Sequence, residues 1–291
     1  MTTSRAFPPW PELIASADFA RAFTVIVLAS IAGGHAIESI AGLPTLITII
    51  AAESALAVAV LFVRRDELSA LRLIPFTLVA FLMWTLASIF WSTDPLESFA
   101  RWLSLAAVAL IAVTIGHIRD TLQTVRAVGD VARVLLIISL GVEIASGVLL
   151  DMPFTFLGVR GDIANLGPIQ GIFGTRNMLG FFCVIALVTF VVELRTRSVR
   201  TGVAVGSIIL ASALALLSAS PTVFVLAAAV STLTGVLYLI RRVPDARRAA
   251  VQWTLAAFAV VGGSFAWLSR SAIIEWLGAA DDLSLRTQLW T

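Results

Sequence analysis

The chain has 291 residues, 59% hydrophobic and only 13% charged, with a formal net charge of +2 and a mean hydropathy of +0.99. A soluble domain carries about 25% charged residues, so a chain this apolar cannot cover its own surface, and a soluble fold is excluded. The basic residues are scattered between apolar runs and not gathered in one patch, which argues against nucleic acid as a partner.

The first 19 residues are polar and proline-containing. They lack a short apolar core followed by a small-residue cleavage site, so they read as a cytoplasmic segment and not as a cleaved signal peptide. A membrane-spanning helix needs roughly 20 mostly apolar residues. Candidate spans follow near residues 20–36, 43–63, 73–90, 100–117, 131–150, 178–193, 202–218, 221–240 and 251–269. Spans seven and eight are divided by Ser218-Ala219-Ser220-Pro221, where proline breaks a continuous helix. The pattern predicts an all-α polytopic bundle of about nine spans. Helices over 20–150 and 178–269 flank an irregular loop at 151–177.

Every basic residue is arginine. Fifteen lie in one alternating set of segments: Arg5 and Arg21; Arg64, Arg65 and Arg72; Arg119, Arg126 and Arg133; Arg195, Arg197 and Arg200; Arg241, Arg242, Arg247 and Arg248. The other set holds Arg101, Arg160, Arg176, Arg270 and Arg286. Arginine marks the cytoplasmic side, so the N-terminus is predicted inside, with 91–99, 151–177 and 270–291 outside a cytoplasmic (inner) cell membrane. The last segment carries no closing helix and reads as the start of an external region that continues.

Candidate chemistry concentrates outside. The stretch from Asp151 to Gly180 is punctuated by glycine and proline as irregular backbone. Phe154, Phe156, Leu157, Ile172 and Phe173 predict that it dips against the membrane surface. Arg160 and Arg176 suit bidentate contacts to phosphate oxygens; the plainer alternative is snorkelling to lipid headgroups. Asp94 precedes Pro95 in a turn that starts a helix. Glu97 then either faces the same external pocket or belongs to a simple cap. Arg286 and Trp290 stand four residues apart and share one face of a short helix, suited to an interface.

Glu53 and Glu143 fall within apolar runs. A carboxylate there faces the bundle or a wet cavity, or is neutral; a proton-coupled transporter is the functional alternative. His35 and His117 lie at span ends and read as interfacial. The lone Cys183 and two distant histidines make no zinc site. Neither a metal nor a cofactor is expected, and no nucleotide-binding loop or Ser–His–Asp pattern stands out.

Four patches, in order, resemble the O-antigen ligase/polymerase family of bacterial membrane proteins. Gly171-Ile172-Phe173-Gly174-Thr175-Arg176-Asn177-Met178-Leu179-Gly180 is similar to the family's G-x-F-x-x-x-N-x-L-G stretch. Ser92-Thr93-Asp94-Pro95-Leu96-Glu97-Ser98 resembles its S-x-D-P-x-x-S turn. Leu217-Ser218-Ala219-Ser220 resembles its Ser-Arg turn, with Pro221 where the family has arginine, and a ligase-like domain would begin near residue 202. Ser284-Leu285-Arg286-Thr287-Gln288-Leu289-Trp290 is similar to the opening of its large external loop.

The resemblance implies metal-independent transfer of a glycan from a polyprenyl-diphosphate donor to a lipid or saccharide acceptor on the outer face. Membrane lipids surround the protein. Arg286 is implied first for holding the diphosphate, with Arg160 and Arg176 next. Asn177 and Asp94 are implied in ordering loops or contacting sugar. The family's catalytic histidine has no counterpart here, so residues 1–291 alone are expected to be inactive. A membrane transporter and a non-catalytic membrane scaffold are the alternatives.

Overall fold

A computed structural model describes residues 10–65, 75–165, 167–270 and 272. Among them every regular element is helical. Six helices are long and apolar enough to cross a membrane, a seventh crossing arises if one bent pair counts as a span, and two further apolar helices are shorter.

The chain divides into two compact units, Met1–Leu217 and Ser218–Thr291. In the first, α1 (Trp10–Ala15), α2 (Ala17–Ala32), α3 (Gly34–Ala41) and α4 (Leu43–Val63) come first. Helix α5 (Phe76–Ala87) runs on through a 3-10 turn at Ser88–Trp91 into α6 (Pro95–Ile118). Helix α7 (Thr121–Ile144), with a π-helical end at Ala145–Leu149, then leads through the segment 150–175 to α8 (Arg176–Thr196) and α9 (Thr201–Leu217).

Polar residues flanking the apolar runs set these boundaries. Ser16, Asp94, Asp120 and Thr175 each accept a hydrogen bond from a backbone N–H three residues on, capping α2, α6, α7 and α8. Such caps satisfy donors that a helix start otherwise leaves unpaired. Pro44 and Pro95 stand in first turns, where the missing N–H costs nothing.

The first predicted span proves to be broken. Helices α2 and α3 meet at 70°, and Gly33 donates to Ala29 O as the C-cap. A Cβ on Gly33 would stand 2.9 Å from Ala29 O, so the break needs a residue without a side chain. Helix α3 thereby turns across the end of the bundle.

Two apolar clusters hold this unit. The larger joins α7, α8 and α9 through Leu136, Leu179, Cys183, Phe190 and Leu214. The smaller joins α2, α4 and α6 through Phe23, Val27, Ala57, Ile111 and Ile115. At one end of the unit, Arg64 donates to Ala15 O (2.6 Å) and Arg126 to Ser198 O (3.0 Å). At the other, α3 packs on the turns of the 150–175 segment.

In the second unit, α10 (Pro221–Arg242) and α11 (Asp245–Leu268) are joined by a two-residue link. Their apolar side chains are largely exposed, among them Leu233, Leu237, Trp253, Phe258 and Phe265. Arg242 lies over Tyr238 and Arg270 over Trp267, at 4.6 Å and 4.9 Å from the ring centroids. Aromatic–arginine pairs of this kind suit the edge of a membrane.

Candidate functional site: the segment 150–175

Helix α7 carries three buried polar residues, Ser139, Glu143 and Ser146, at spacings of four and three. That spacing aligns them on one face, and the 150–175 segment folds back onto it. The Glu143 Oε1 accepts hydrogen bonds from the backbone N–H groups of Gln170 (2.9 Å) and Gly171 (2.8 Å). The Ile172 N–H points to Ser139 Oγ (3.4 Å), and Ser146 Oγ donates to Met152 O (2.6 Å). The Ile169 N–H donates to Leu217 O, a carbonyl at the end of α9 (3.1 Å).

The segment thus descends to Ser139, ten residues and about 15 Å along the helix axis from Leu149. Irregular backbone packed inside protein needs partners for its N–H groups, and Glu143 accepts from two of them at once. This accounts for a buried carboxylate that the sequence left open between structure and proton coupling.

Ile169, Ile172 and Phe173 are buried in the larger cluster, and Leu157 and Val159 are buried beside them. The expectation that these apolar residues meet the membrane surface is therefore corrected for Leu157, Ile172 and Phe173, which pack inside the protein. Phe156 is exposed and stacks with the half-buried Phe154.

Glycines permit the close approaches. Gly171 has φ +57, and a Cβ there would meet Ser139. Gly174 has φ +76, and a Cβ would strike the imidazole of His35 on α3. Gly158 has φ +75, bonds through its carbonyl to the Gln170 side chain, and stands against Gly174 O, 3.8 Å from where a Cβ would sit. Two turns therefore meet, and an arginine follows each by two residues. Arg160 is exposed; Arg176 and Asn177 are half-buried at the start of α8, behind the Thr175 cap.

Asp94 occupies a different place. Its carboxylate caps α6 by accepting from Glu97 N (3.0 Å), Ser92 Oγ bonds Ser98 Oγ (2.6 Å), and Glu97 pairs with Arg101. Helix α6 packs on α2, α4 and α5 and to a lesser extent on α7, whereas the turns of the 150–175 segment pack on α3, α7 and α8. The cap reading of this patch holds, and Glu97 is engaged by its own helix. Arg286 and the rest of Ser284–Trp290 lie outside the described residues. His117 bonds to Val113 O (2.7 Å) in the last turn of α6.

Of three further features, one has a local signal in the sequence and two do not. His35 reads as interfacial from its place at a span end, but its ring shapes the Gly174 turn. The Ser139–Glu143–Ser146 stripe was legible as polar residues at helical spacing within an apolar run. A second polar group carries no signal in the sequence: Arg133 donates to Ser207 Oγ (3.0 Å) and to Asp130 (2.9 Å), and pairs with the fully buried Glu193. No group of three or more His, Cys, Asp or Glu residues among those described is placed to hold a metal ion. No family model, curated protein or solved structure matches the chain.

Proposed function

We propose that this protein is a membrane glycosyltransferase of the O-antigen ligase/polymerase type. It would transfer a glycan from a polyprenyl-diphosphate donor to a lipid or saccharide acceptor. The observation that carries the reading is the meeting of the Gly158 and Gly174 turns, each followed by an arginine, on a segment tied into the helix bundle by Glu143. The same stretch holds one of the four motif resemblances. In this reading the chain crosses the cytoplasmic membrane about nine times, with its N-terminus inside. The arginine-poor end that bears the segment then faces outward.

Arg160 and Arg176 hold the diphosphate and stabilise the charge that develops on it as the bond from the sugar's anomeric carbon to phosphate oxygen breaks. An acceptor hydroxyl forms the new bond to that carbon, and its proton passes to the departing diphosphate, which leaves with the bonding electron pair. Asn177 orders the start of α8 or contacts sugar, and Arg286 adds a further diphosphate contact. A transporter draws less support. Glu143 is committed to the segment's backbone, which leaves Glu53 as the unexplained carboxyl within a span.

The test is surface glycan in cells that depend on this protein, with Arg176→Ala and Arg160→Ala compared with wild type at matched membrane levels. Loss of surface glycan with accumulation of lipid-linked donor is the expected result. Undiminished glycan in both variants would remove the proposed role.

A further inference from the structure

Glu53 lies at the centre of α4, ten residues from either end, or about 15 Å along the axis. It is buried, and α4 carries no other charged residue. The helices packed on α4 bring no cation to it. Helix α2 carries Asp18 and Arg21 in its first two turns. Helix α6 carries Glu97 and Arg101 at its start and His117 at its end. His35 and Glu38 lie on α3 and Glu12 on α1. Among the described residues Glu53 has no ion pair, and its Oε2 has no hydrogen-bond partner.

What Glu53 does have is Ser30 of α2, three residues before the break at Gly33. The Ser30 Oγ lies 2.7 Å from Glu53 Oε1 and 2.9 Å from Val27 O. A serine hydroxyl owns one proton. If Glu53 is ionised, both neighbours of Ser30 Oγ are pure acceptors, and one of the two short contacts has no proton in it. A proton on Glu53 Oε1 completes the chain: Oε1–H donates to Ser30 Oγ, and Ser30 Oγ–H donates to Val27 O. The bare Oε2 is then a neutral carbonyl oxygen, far cheaper to bury than an ionised one. Glu143 differs, because its oxygen receives two backbone N–H groups and needs no proton of its own.

We propose that Glu53, with Ser30, is a proton-binding site in the membrane interior, occupied at neutral pH and reactive toward apolar carbodiimides. In that reaction the acid proton passes to one carbodiimide nitrogen and the carboxyl oxygen adds to the central carbon. The acyl group then shifts to nitrogen, leaving a stable N-acylurea. This inference does not depend on the glycosyl-transfer reading.

The experiment treats the whole protein in lipid nanodiscs at neutral pH with dicyclohexylcarbodiimide and maps adducts by peptide mass. Infrared spectra of the wild type and Glu53→Gln are compared in parallel. Glutamine can donate to Ser30 Oγ as the acid does, so the variant retains the contact. Either an adduct on Glu53 with none on Glu143, or loss of a carboxylic-acid carbonyl band in Glu53→Gln, supports the site. An unmodified Glu53 together with an unchanged carbonyl band overturns it, and the adduct map needs no variant to fold.

Discussion

Glu143 holds the 150–175 segment in place. Removing its carboxylate leaves the buried Gly171 N–H and the half-buried Gln170 N–H without an acceptor, and a fully buried orphan costs about 1–3 kcal/mol. Glu143→Ala should lower the thermal midpoint of the purified protein and open the 150–175 segment to protease. Glu143→Gln keeps an acceptor oxygen and should lose far less. Equal, small losses in both variants would contradict the anchoring role. Gly174 makes a second prediction. Gly174→Ala combines a left-handed φ, worth about 1–2 kcal/mol, with a clash against His35. Adding His35→Ala should recover the steric part and leave the backbone part, read as a positive coupling in a double-mutant cycle. Strict additivity would mean that the ring does not shape the turn. The sequence marked Gly174 within a motif but did not link it to His35, because their contact depends on the bend between α2 and α3.

Helices α7, α8 and α9 are joined at two levels. The segment ties them at one, through Glu143 and Leu217 O. At the other, Arg133 binds Glu193, Ser207 and Asp130 and lies 5.1 Å from the centroid of the Phe190 ring. Gly129 makes room, since a Cβ there would run into the Glu193 carboxylate. Removing one partner of a buried ion pair costs about 3–5 kcal/mol, whereas replacing both with apolar residues of similar size is often nearly neutral. Arg133→Met should therefore destabilise the protein strongly, and adding Glu193→Leu should restore most of the loss in a thermal-shift assay. A double variant as weak as Arg133→Met alone would show that the pair contributes more than mutual neutralisation. The described parts of the expected spans fall on helix because apolar runs, caps and prolines are local signals, yet only six of those helices are long and apolar enough to cross a membrane and the first span is bent by 70°. The Arg133–Glu193 pair went unread because its partners are 60 residues apart and neither residue alone distinguishes a staple from a loop charge.

At the scale of the whole molecule, helical class and membrane-spanning character were legible from composition. The ends of the first unit also separate into an arginine-rich group and one bearing α3 and the 150–175 segment. The depth of that segment was not legible, since glycine and proline announce irregular backbone without saying what it packs against. Neither was the break at Gly33, where an apolar run continues in sequence while the helix turns by 70°. Glycan transfer on the outer face requires that the Arg160 and Arg176 turns meet the exterior. Cysteine labelling in intact cells tests it most directly, with Arg160→Cys as the reporter and the buried Cys183 as the silent background. A membrane-impermeant maleimide should modify Arg160→Cys before permeabilisation. Labelling that appears only after the membrane is opened would place the segment in the cytosol and contradict that requirement.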